Sequence, residues 1–263
     1  MPNMKGFSLM PRPFEGKVVL VTGGNAGIGK ATALTFAQAG AQVVIAARRV
    51  DEGMQTVEEI RQAGGEAFFV RTDVSQAAEV EALVHTTVAT YGRLDCAFNN
   101  AGIAVGGLLH EFSEEAWDRM VDINLKGVWL CMKYQIIQML TQGGGAIVND
   151  SSAAGLTGYG RSPVYAASKH GVIGLSKSAA LQYITKGIRI NVVCPGVIMT
   201  PMMERAFASG PGVKEWFVSK QPAGSGGSPE EVAQAVLWLC SDAASFVTGV
   251  ALPVDGGMVS GLW

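Results

Sequence analysis

Cysteine is scarce in this sequence, and its distribution limits the classes of protein that the sequence can encode. Four cysteines are spread over 263 residues, without a CxxC pair. All four lie in apolar surroundings, which predicts buried, reduced thiols in a cytoplasmic protein and argues against a disulfide framework. They are Cys96, Cys131, Cys194 and Cys240.

Charge of one sign, spaced histidines and long apolar runs are also missing. A formal net charge of −2 provides no basic surface for nucleic acid. The three histidines have no metal-ligand spacing. The apolar run over 188–199 is interrupted by polar residues and a proline, which argues against a membrane span. The sequence therefore predicts no nucleic-acid, metal or membrane partner.

The N-terminal segment differs in character from the rest of the chain. Residues 1–15 contain three prolines and two basic residues without a continuous apolar segment, which predicts a flexible arm rather than a signal peptide. The remainder has no Pro/Ser-rich linker, and nearly half of the whole sequence is apolar. We therefore predict that residues 16–263 form one domain around a large core.

Apolar runs typical of strands alternate with segments of helical periodicity along this domain. Such alternation predicts a single-domain α/β fold: a doubly wound, Rossmann-like parallel sheet of about seven strands with helices on both faces. The predicted strands are 17–22, 42–47, 67–72, 94–99, 146–151, 189–194 and 250–254. The predicted helices are 27–39, 50–63, 77–91, 114–139, 164–185 and 229–241.

The stretch VVLVTGGNAGIG over residues 18–29 runs from a strand through a glycine-rich turn into a helix. Gly23 and Gly27 permit backbone geometry that a Cβ would obstruct, and Gly29 lets the helix pack close to the sheet. The N–H groups at the start of the helix would then face a pyrophosphate. The spacing differs from G-x-G-x-x-G and from a P-loop, so the turn alone also fits an ordinary strand-to-helix connection.

The ends of the next strands carry candidate cofactor residues. An NAD site usually has an acidic residue at the end of the second strand, but Ala47 stands there, followed by Arg48 and Arg49. Two arginines without a facing carboxylate favour the 2′-phosphate of NADP, although they also fit a solvated helix start. Asp73 could accept a hydrogen bond from adenine or cap the following helix. The NNAG segment at 99–102 would let a flat ligand approach, or form a plain loop.

Tyr165 and Lys169 are four residues apart at the start of a predicted helix, so they share one face. An ammonium beside a phenol stabilises the phenolate, which makes the phenol a usable acid and base. Ser152, at the end of the preceding strand, can hold a substrate oxygen next to that phenol. Each feature alone fits an amphipathic helix or a Ser-rich loop, but together they indicate a catalytic group.

These motifs resemble those of the short-chain dehydrogenase/reductase family. TGGNAGIG at 22–29 matches the family's TGxxxGxG, 99–102 its NNAG, 165–169 its YxxxK, and PGVIMT at 195–200 the segment after its sixth strand. The match extends from about Lys17 to Gly257. Each motif alone is of limited specificity, but the set in this order is highly specific.

The resemblance implies a role for each matching residue. Asn124, Ser152, Tyr165 and Lys169 would form a catalytic tetrad. In it, Tyr165 would exchange the proton, Ser152 would orient the carbinol or carbonyl oxygen, Lys169 would also bind the nicotinamide ribose, and Asn124 would anchor a water. By its own context, Asn124 is a neutral residue within a helix. The predicted cofactor-binding residues are Gly23, Asn25, Gly27, Ile28, Gly29, Arg48, Arg49, Asp73, Val74, Asn100, Ala101, Gly102, Tyr165, Lys169, Pro195, Gly196, Val197, Ile198 and Thr200.

Two positions depart from the family pattern. Members that select NADP through the glycine turn often carry a basic residue just before the middle glycine, where this chain has Ala26. NADP selection would therefore depend on Arg48 and Arg49, with NAD as the alternative cofactor. Asp150, beside the end of the catalytic strand, stands where apolar or small residues are commoner. The sequence offers no physical account of this aspartate.

The segment 199–222 is a predicted substrate lid. It carries Met202, Met203, Phe207, Trp216 and Phe217 among few charges. Methionine suits adaptable apolar contacts, so we expect a bulky or cyclic, apolar secondary alcohol or ketone. The same side chains would also suit packing on the core.

The family resemblance implies a homotetramer with the 114–139 and 164–185 helices at one interface. The terminal Trp263 would cross to a neighbouring subunit, because an exposed tryptophan is unfavourable in a monomer.

The leading hypothesis is an NADP-dependent oxidoreductase that transfers hydride to or from a secondary carbinol carbon. A 3-oxoacyl-thioester reductase acting on acyl carrier protein is the alternative within the enzyme class, and Ala26 argues mildly against it. A non-catalytic nucleotide-sensing protein would have no need of an activated phenol. A hydrolase is disfavoured because no G-x-S-x-G elbow surrounds Ser152.

Overall fold

The structure of the chain is a computed structural model that describes residues 12–261. The predicted arm over 1–15 therefore lies mostly outside the described residues, as does Trp263 with its expected contact to a neighbour. Within the described part, Phe14 is buried in the core, and its ring makes an edge contact with Phe36 at 5.0 Å between centroids.

A seven-stranded sheet forms the centre of the molecule, with parallel pairing throughout and the strand order β3-β2-β1-β4-β5-β6-β7. This order confirms the predicted Rossmann-like α/β fold. The interior strand β1 is buried along its whole length, as its VVLVT sequence requires. The strands are β1 (Val18–Thr22), β2 (Gln42–Ala47), β3 (Glu66–Arg71), β4 (Cys96–Asn99), β5 (Gly145–Asp150), β6 (Ile188–Pro195) and β7 (Ala251–Val254).

Helices cover both faces of this sheet. One apolar cluster joins the first face to α1, α2 and α9, and a second joins the other face to α3, α5 and α6. The helices are α1 (Gly27–Gln38), α2 (Val50–Gln62), α3 (Ala77–Tyr91), α4 (Glu114–Val121), α5 (Gly127–Thr141), α6 (Pro163–Tyr183), α7 (Pro201–Phe207), α8 (Val213–Ser219) and α9 (Pro229–Cys240). Among the described residues, no helix is both long and apolar enough to cross a membrane.

The predicted single helix over 114–139 is wrong in one respect. A π-turn at Asp122–Lys126 separates α4 from α5. Asn124 lies in the middle of this turn and is 1% exposed. π-turns interrupt the regular ladder of hydrogen bonds and occur frequently at functional sites. Periodicity could not reveal the turn, because the apolar spacing continues across it.

The four cysteines are free and buried, as the sequence predicted. The segment predicted as a lid contains two short helices, α7 and α8, between the end of β6 and the start of α9.

Candidate active site

The candidate site lies at the carboxyl ends of the strands. The chain order reverses at β1, which has β2 on one side and β4 on the other. In open parallel sheets, this reversal opens a crevice in which ligands bind. Two adjoining cavities occupy it.

The glycine turn between β1 and α1 lines both cavities. Gly23 and Gly27 have φ values of 69° and 53°, which disfavour any residue with a Cβ. A Cβ at Gly27 would also lie 3.2 Å from the Thr200 side chain, and one at Gly29 would collide with the Gly23 carbonyl. The first N–H groups of α1 have no side-chain cap and no partner within the helix. The turn therefore fits a pyrophosphate.

The NNAG segment fixes this turn from the neighbouring strand. The Thr22 hydroxyl accepts hydrogen bonds from the backbone N–H groups of Asn100 and Ala101, at 3.0 and 3.2 Å. The Asn100 amide donates to the Thr22 and Gly23 carbonyls, at 2.9 and 3.3 Å. Asn100, Ala101 and Gly102 thus line the cavity on a backbone that is tied to β1.

The second cavity carries the predicted adenosine-end residues. Arg48 and Arg49 both line it, and the Arg48 guanidinium lies 3.8 Å from the Asp73 carboxylate. With the Asn25 amide oxygen facing it, Arg49 donates to that oxygen at 2.7 and 3.1 Å, and it pairs with Glu52 at 3.0 Å. Ala47, where an acidic residue would select NAD, also lines this cavity.

Asp73 is not the N-cap of α3, because that position belongs to Gln76. The Asp73 carboxylate instead accepts hydrogen bonds from the Ser75 backbone and hydroxyl, at 3.0 and 2.7 Å. Burial opposes ionisation of this carboxyl, but the two bonds from Ser75 and the charge of Arg48 together lower its pKa. The capping alternative is therefore wrong, and Asp73 stands charged in the cavity wall.

Ser152, Tyr165 and Lys169 meet in the larger cavity, together with the end of β5. Tyr165 lies in the first turn of α6, and the Lys169 ammonium one turn later is 5.7 Å from the centre of its ring. Ser152 follows β5, and its hydroxyl accepts a hydrogen bond from the Ala154 N–H at 3.1 Å. The Lys169 ammonium also donates to the carbonyl and the carboxylate of Asp150, at 2.8 and 3.0 Å.

Asn124 does not line either cavity but supports the wall from behind. Its amide oxygen accepts from the Ile103 N–H at 2.8 Å, and its amide nitrogen donates to the Ile103 carbonyl at 2.9 Å. The same nitrogen donates to the Ser168 hydroxyl at 3.2 Å. Asn124 therefore joins the π-turn, the segment after NNAG and α6.

Two predicted cofactor residues also lie behind the cavity surface. Gly29 packs against the glycine turn, and Val197 is 4% exposed. The Val197 backbone is held by the Gln221 amide, at 3.3 Å to its N–H and 3.1 Å to its carbonyl. The other predicted residues line one or both cavities.

Sequence reasoning missed a buried amide network beneath the site. Asn99 and Gln135 exchange hydrogen bonds of 2.7 and 3.0 Å, and Asn99 donates to Asn149 at 2.8 Å. Asn149 donates in turn to the Ser176 hydroxyl at 2.8 Å. The network connects β4, β5, α5 and α6. Polar residues within the apolar runs were its signal, because buried amides need such partners.

The predicted lid contributes fewer residues to the cavity than its sequence suggested. Met202 and Met203 line the cavity, together with Arg205, which sequence reasoning missed. The three aromatic residues pack on one another instead, with centroids 5.9 Å apart for Phe207 and Phe217 and 5.0 Å apart for Trp216 and Phe217.

Comparison with known proteins agrees with this geometry. A family model described as "Enoyl-(Acyl carrier protein) reductase" matches residues 23–259. The chain is 45% identical to the 2,5-dichloro-2,5-cyclohexadiene-1,4-diol dehydrogenase of Sphingobium indicum, over 94% of this chain and 98% of the relative. It is also 45% identical to the cyclohexanol dehydrogenase of an Acinetobacter species, over 96% and 98%.

A 3-oxoacyl-[acyl-carrier-protein] reductase of Thermotoga maritima is 41% identical, over 93% of this chain and 98% of the relative. Among solved structures, levodione reductase superposes with a TM-score of 0.91 at 36% identity, covering 95% of this chain and all of that chain. The site and fold define an oxidoreductase that uses a nicotinamide dinucleotide. The chain belongs to the short-chain dehydrogenase/reductase family.

Proposed function

We propose that this enzyme transfers hydride between NADP and a cyclic secondary alcohol or its ketone. The observation that carries the proposal is the meeting of Ser152, Tyr165 and Lys169 in one cavity, beside a glycine turn that fits a pyrophosphate. When bound there, the nicotinamide would supply or accept the hydride.

In this proposal, Tyr165 transfers the proton to or from the substrate oxygen. The Lys169 ammonium, 5.7 Å from the ring centre, stabilises the phenolate form of the catalytic pair. Ser152 orients the same substrate oxygen by a hydrogen bond. Both amide atoms of Asn124 have protein partners, but its amide oxygen accepts one of these bonds and can accept a second from the proposed water.

NADP is the proposed cofactor because two arginines line the adenosine cavity and Ala47 stands at the end of β2, where an acidic residue would select NAD. The sequence expectation of no facing carboxylate is wrong for Arg48, which lies 3.8 Å from Asp73, but 49% of its side chain is exposed and can contact a 2′-phosphate. Arg49, at the start of α2, is held by Asn25 and Glu52 and adds a second positive charge to the wall of this cavity. Asp73 then faces the adenine.

The proposed substrate class follows from the cavity wall and from the relatives. Met202 and Met203 give the lid side of the cavity an adaptable apolar surface. Two relatives that cover nearly the whole chain are named for cyclic alcohols. A cyclic secondary alcohol fits both observations.

A panel of substrates tests this function directly. Cyclic and aromatic ketones and alcohols, small polar sugars and acetoacetyl thioesters would each be assayed with NADPH or NADH and with the corresponding oxidised cofactors. We expect turnover of cyclic substrates with a preference for NADP. Turnover confined to sugars would contradict the substrate class.

Tyr165→Phe tests the catalytic assignment. General acid–base groups contribute about 10²–10⁴-fold to rate, so we expect a loss of this size in kcat. Tyr159→Phe is a matched control, because its ring centroid lies 6.4 Å from that of Tyr165 but it does not line either described cavity. Full activity of Tyr165→Phe would contradict the proposal and favour the nucleotide-sensing alternative.

Reduction of 3-oxoacyl thioesters is the second candidate. It is favoured by the 41% identity to the Thermotoga maritima reductase. Faster turnover of acetoacetyl thioesters than of any cyclic ketone would establish it in place of the first.

The proposed homotetramer has support from exposed apolar side chains. Trp129, Ile137 and Leu140 on α5, and Leu181 on α6, are 44–80% exposed. Exposed apolar side chains on two helices that cover the same face of the sheet favour an interface between subunits. Light scattering during size-exclusion chromatography would test the assembly, and a monomer would contradict it.

A further inference from the structure

Asp150 is the last residue of β5, and its side chain lies against the catalytic lysine. Its carboxylate oxygen Oδ2 is 3.0 Å from Lys169 Nζ, and its backbone carbonyl is 2.8 Å from the same nitrogen. The side chains of Lys169 and Asp150 are only 4% and 12% exposed. The other oxygen, Oδ1, is buried without a hydrogen-bond partner among the described residues, so Lys169 alone compensates this carboxylate.

The ionisable groups that face Lys169 come from three elements. Asp150 lies on β5, Tyr165 on α6 and Cys194 on β6. Burial raises the pKa of the Cys194 thiol to about 12, so this thiol carries no charge at neutral pH. Gly102, at which a Cβ would lie 3.8 Å from Lys169 Nζ and 3.3 Å from Asn124 Oδ1, carries no charge, and neither does Asn124. Within the described chain, Asp150 is the carboxylate that acts on the lysine.

Asp150 and Lys169 each stabilise the charged form of the other, which offsets the cost of burying both charges. Burial by itself would lower the pKa of Lys169, but the nearby Asp150 and Tyr165 oppose this and raise it overall. Burial raises the pKa of Asp150, and the charge of Lys169 opposes that rise. A buried carboxylate and a buried ammonium at 3.0 Å stabilise each other's charged forms.

We propose that Asp150 is a positioning residue for the reaction: its carboxylate fixes the Lys169 ammonium at the end of β5 and places a negative charge beside the Tyr165–Lys169 pair, where that charge opposes loss of a proton. The inference rests on the proposed function, because that pair would deprotonate before alcohol oxidation. It assigns a role to an aspartate that the sequence left without an account.

Removing the Asp150 charge should lower the pH of deprotonation whether the proton leaves Tyr165 or Lys169. Removing one negative charge nearby makes loss of a proton easier from the phenol and from the ammonium alike. Asp150→Asn removes that charge and keeps a side chain of the same shape. The rate of alcohol oxidation should therefore begin its rise at lower pH in the variant.

The kinetic test compares pH profiles of kcat for alcohol oxidation. We expect the midpoint of the rising limb to lie about one pH unit lower in Asp150→Asn than in the wild type. At a pH below both of these midpoints, kcat of the variant should then be about tenfold higher than that of the wild type. Asp150→Glu keeps the charge and should stay near the wild-type midpoint. Asp118→Asn is the matched control, because it removes one negative charge from the exposed side of α4 and should leave the profile unchanged.

A second measurement uses the cofactor-free protein and does not require turnover. Ultraviolet titration of tyrosinate, with Tyr165→Phe subtracted, should show the same downward movement in Asp150→Asn. ¹⁵N NMR of Lys169 Nζ in the wild type, assigned with Lys169→Arg, should give a midpoint above the usual range for lysine. The NMR experiment also covers the case in which Asp150→Asn does not fold.

These outcomes separate the inference from the proposed function. Absence of turnover on every alcohol, with the expected titrations, would overturn the function and keep the ion-pair effect. An unchanged or raised midpoint in Asp150→Asn, or a Lys169 midpoint below the usual range, would overturn the inference even in an active alcohol dehydrogenase.

Discussion

Two buried aspartates lie at opposite ends of the strands of this sheet, and their surroundings differ. The side with the amino ends of the strands is called the amino edge here, and the side with their carboxyl ends the carboxyl edge. Asp95 immediately precedes β4, and its side chain is 8% exposed. It accepts a hydrogen bond of 2.9 Å from the Val18 N–H and bonds of 2.6–3.0 Å from Arg93. Asp150, at the carboxyl end of β5, has Lys169 alone and one oxygen without a partner in the described chain.

This difference reflects two uses of a buried charge. At the amino edge, the carboxylate of Asp95 has hydrogen-bond partners on both oxygens and links β1 to the start of β4. At the carboxyl edge, an incompletely satisfied carboxylate keeps local charge that can act on neighbouring groups. Substitutions at the amino edge should therefore change stability and leave kinetics alone, whereas those at the carboxyl edge should change kinetics.

Ser152→Ala should give the largest effect, and it tests the carboxyl edge. Loss of a hydroxyl that orients the substrate oxygen should reduce kcat by about 10²–10³-fold, the usual cost of removing one such donor. The free energy of unfolding should fall by only about 1 kcal/mol, because the N–H of the buried Ala154 loses the acceptor of one partly buried hydrogen bond. Steady-state kinetics and urea unfolding measure the two quantities.

Ser178→Ala is the control for this change. Its hydroxyl bonds to the Gly174 carbonyl on the exposed side of α6, at 2.9 Å, and does not line either cavity. It should leave kcat unchanged. A loss of kcat below about fivefold in Ser152→Ala would remove Ser152 from the catalytic group.

Asp95→Ala tests the amino edge. The Val18 N–H would lose its acceptor in the core, which should lower the free energy of unfolding by about 2–3 kcal/mol. The partners Arg93 and Lys17 are nearly half exposed and would be rehydrated, so they add little to this loss. Urea unfolding gives the stability, with Asp118→Ala on the exposed side of α4 as a control. A shift in the kinetic pH midpoint would break the proposed division between the edges.

Arg48→Asp tests the charge at the adenosine cavity. A carboxylate there would repel a 2′-phosphate and accept hydrogen bonds from a ribose hydroxyl. We expect the ratio of kcat/KM for NADPH over NADH to fall by about tenfold or more, since a hydrogen bond to a charged group contributes about 1.5–3 kcal/mol. Arg119→Asp, on the exposed side of α4, adds the same charge elsewhere. An unchanged ratio would exclude Arg48 as the 2′-phosphate ligand.

Most of the fold could be predicted because its signals are local. The buried run of β1 and the glycine turn after it specify their own structure. The bounds of β2 and α3 were predicted to the residue. Gly40 lies just before β2 and Gly92 ends α3, and both have positive φ. The Tyr165–Lys169 face followed from helical spacing alone.

The missed features depend on contacts between distant segments. The π-turn around Asn124 has no signature in apolar spacing. The partner of Asp150 is 19 residues away, on an element whose position depends on the whole sheet. Gln135 is one of several polar residues on α5, and its bonds to Asn99 depend on the position of β4 beside this helix.

Arg161→Ala should give the smallest effect, on the predicted lid over 199–222 rather than on the chemistry. The Arg161 guanidinium lies 4.8 Å from the Trp216 ring centre and 5.4 Å from that of Phe217, so it connects the segment before α6 to α8. An exposed cation–π contact contributes about 0.5–1 kcal/mol. We therefore expect KM for the cyclic substrate to rise by about two- to fivefold, with kcat nearly unchanged.

Arg161→Lys should recover part of this loss, because an ammonium can also lie over an aromatic ring but without stacking as a plane. Steady-state kinetics on wild type and both variants would separate the two parameters. A fall in kcat with KM unchanged would mean that Arg161 acts on the reacting groups at the carboxyl edge. The predicted lid would then act on the reacting groups, as Asp150 and Lys169 do, in addition to binding substrate.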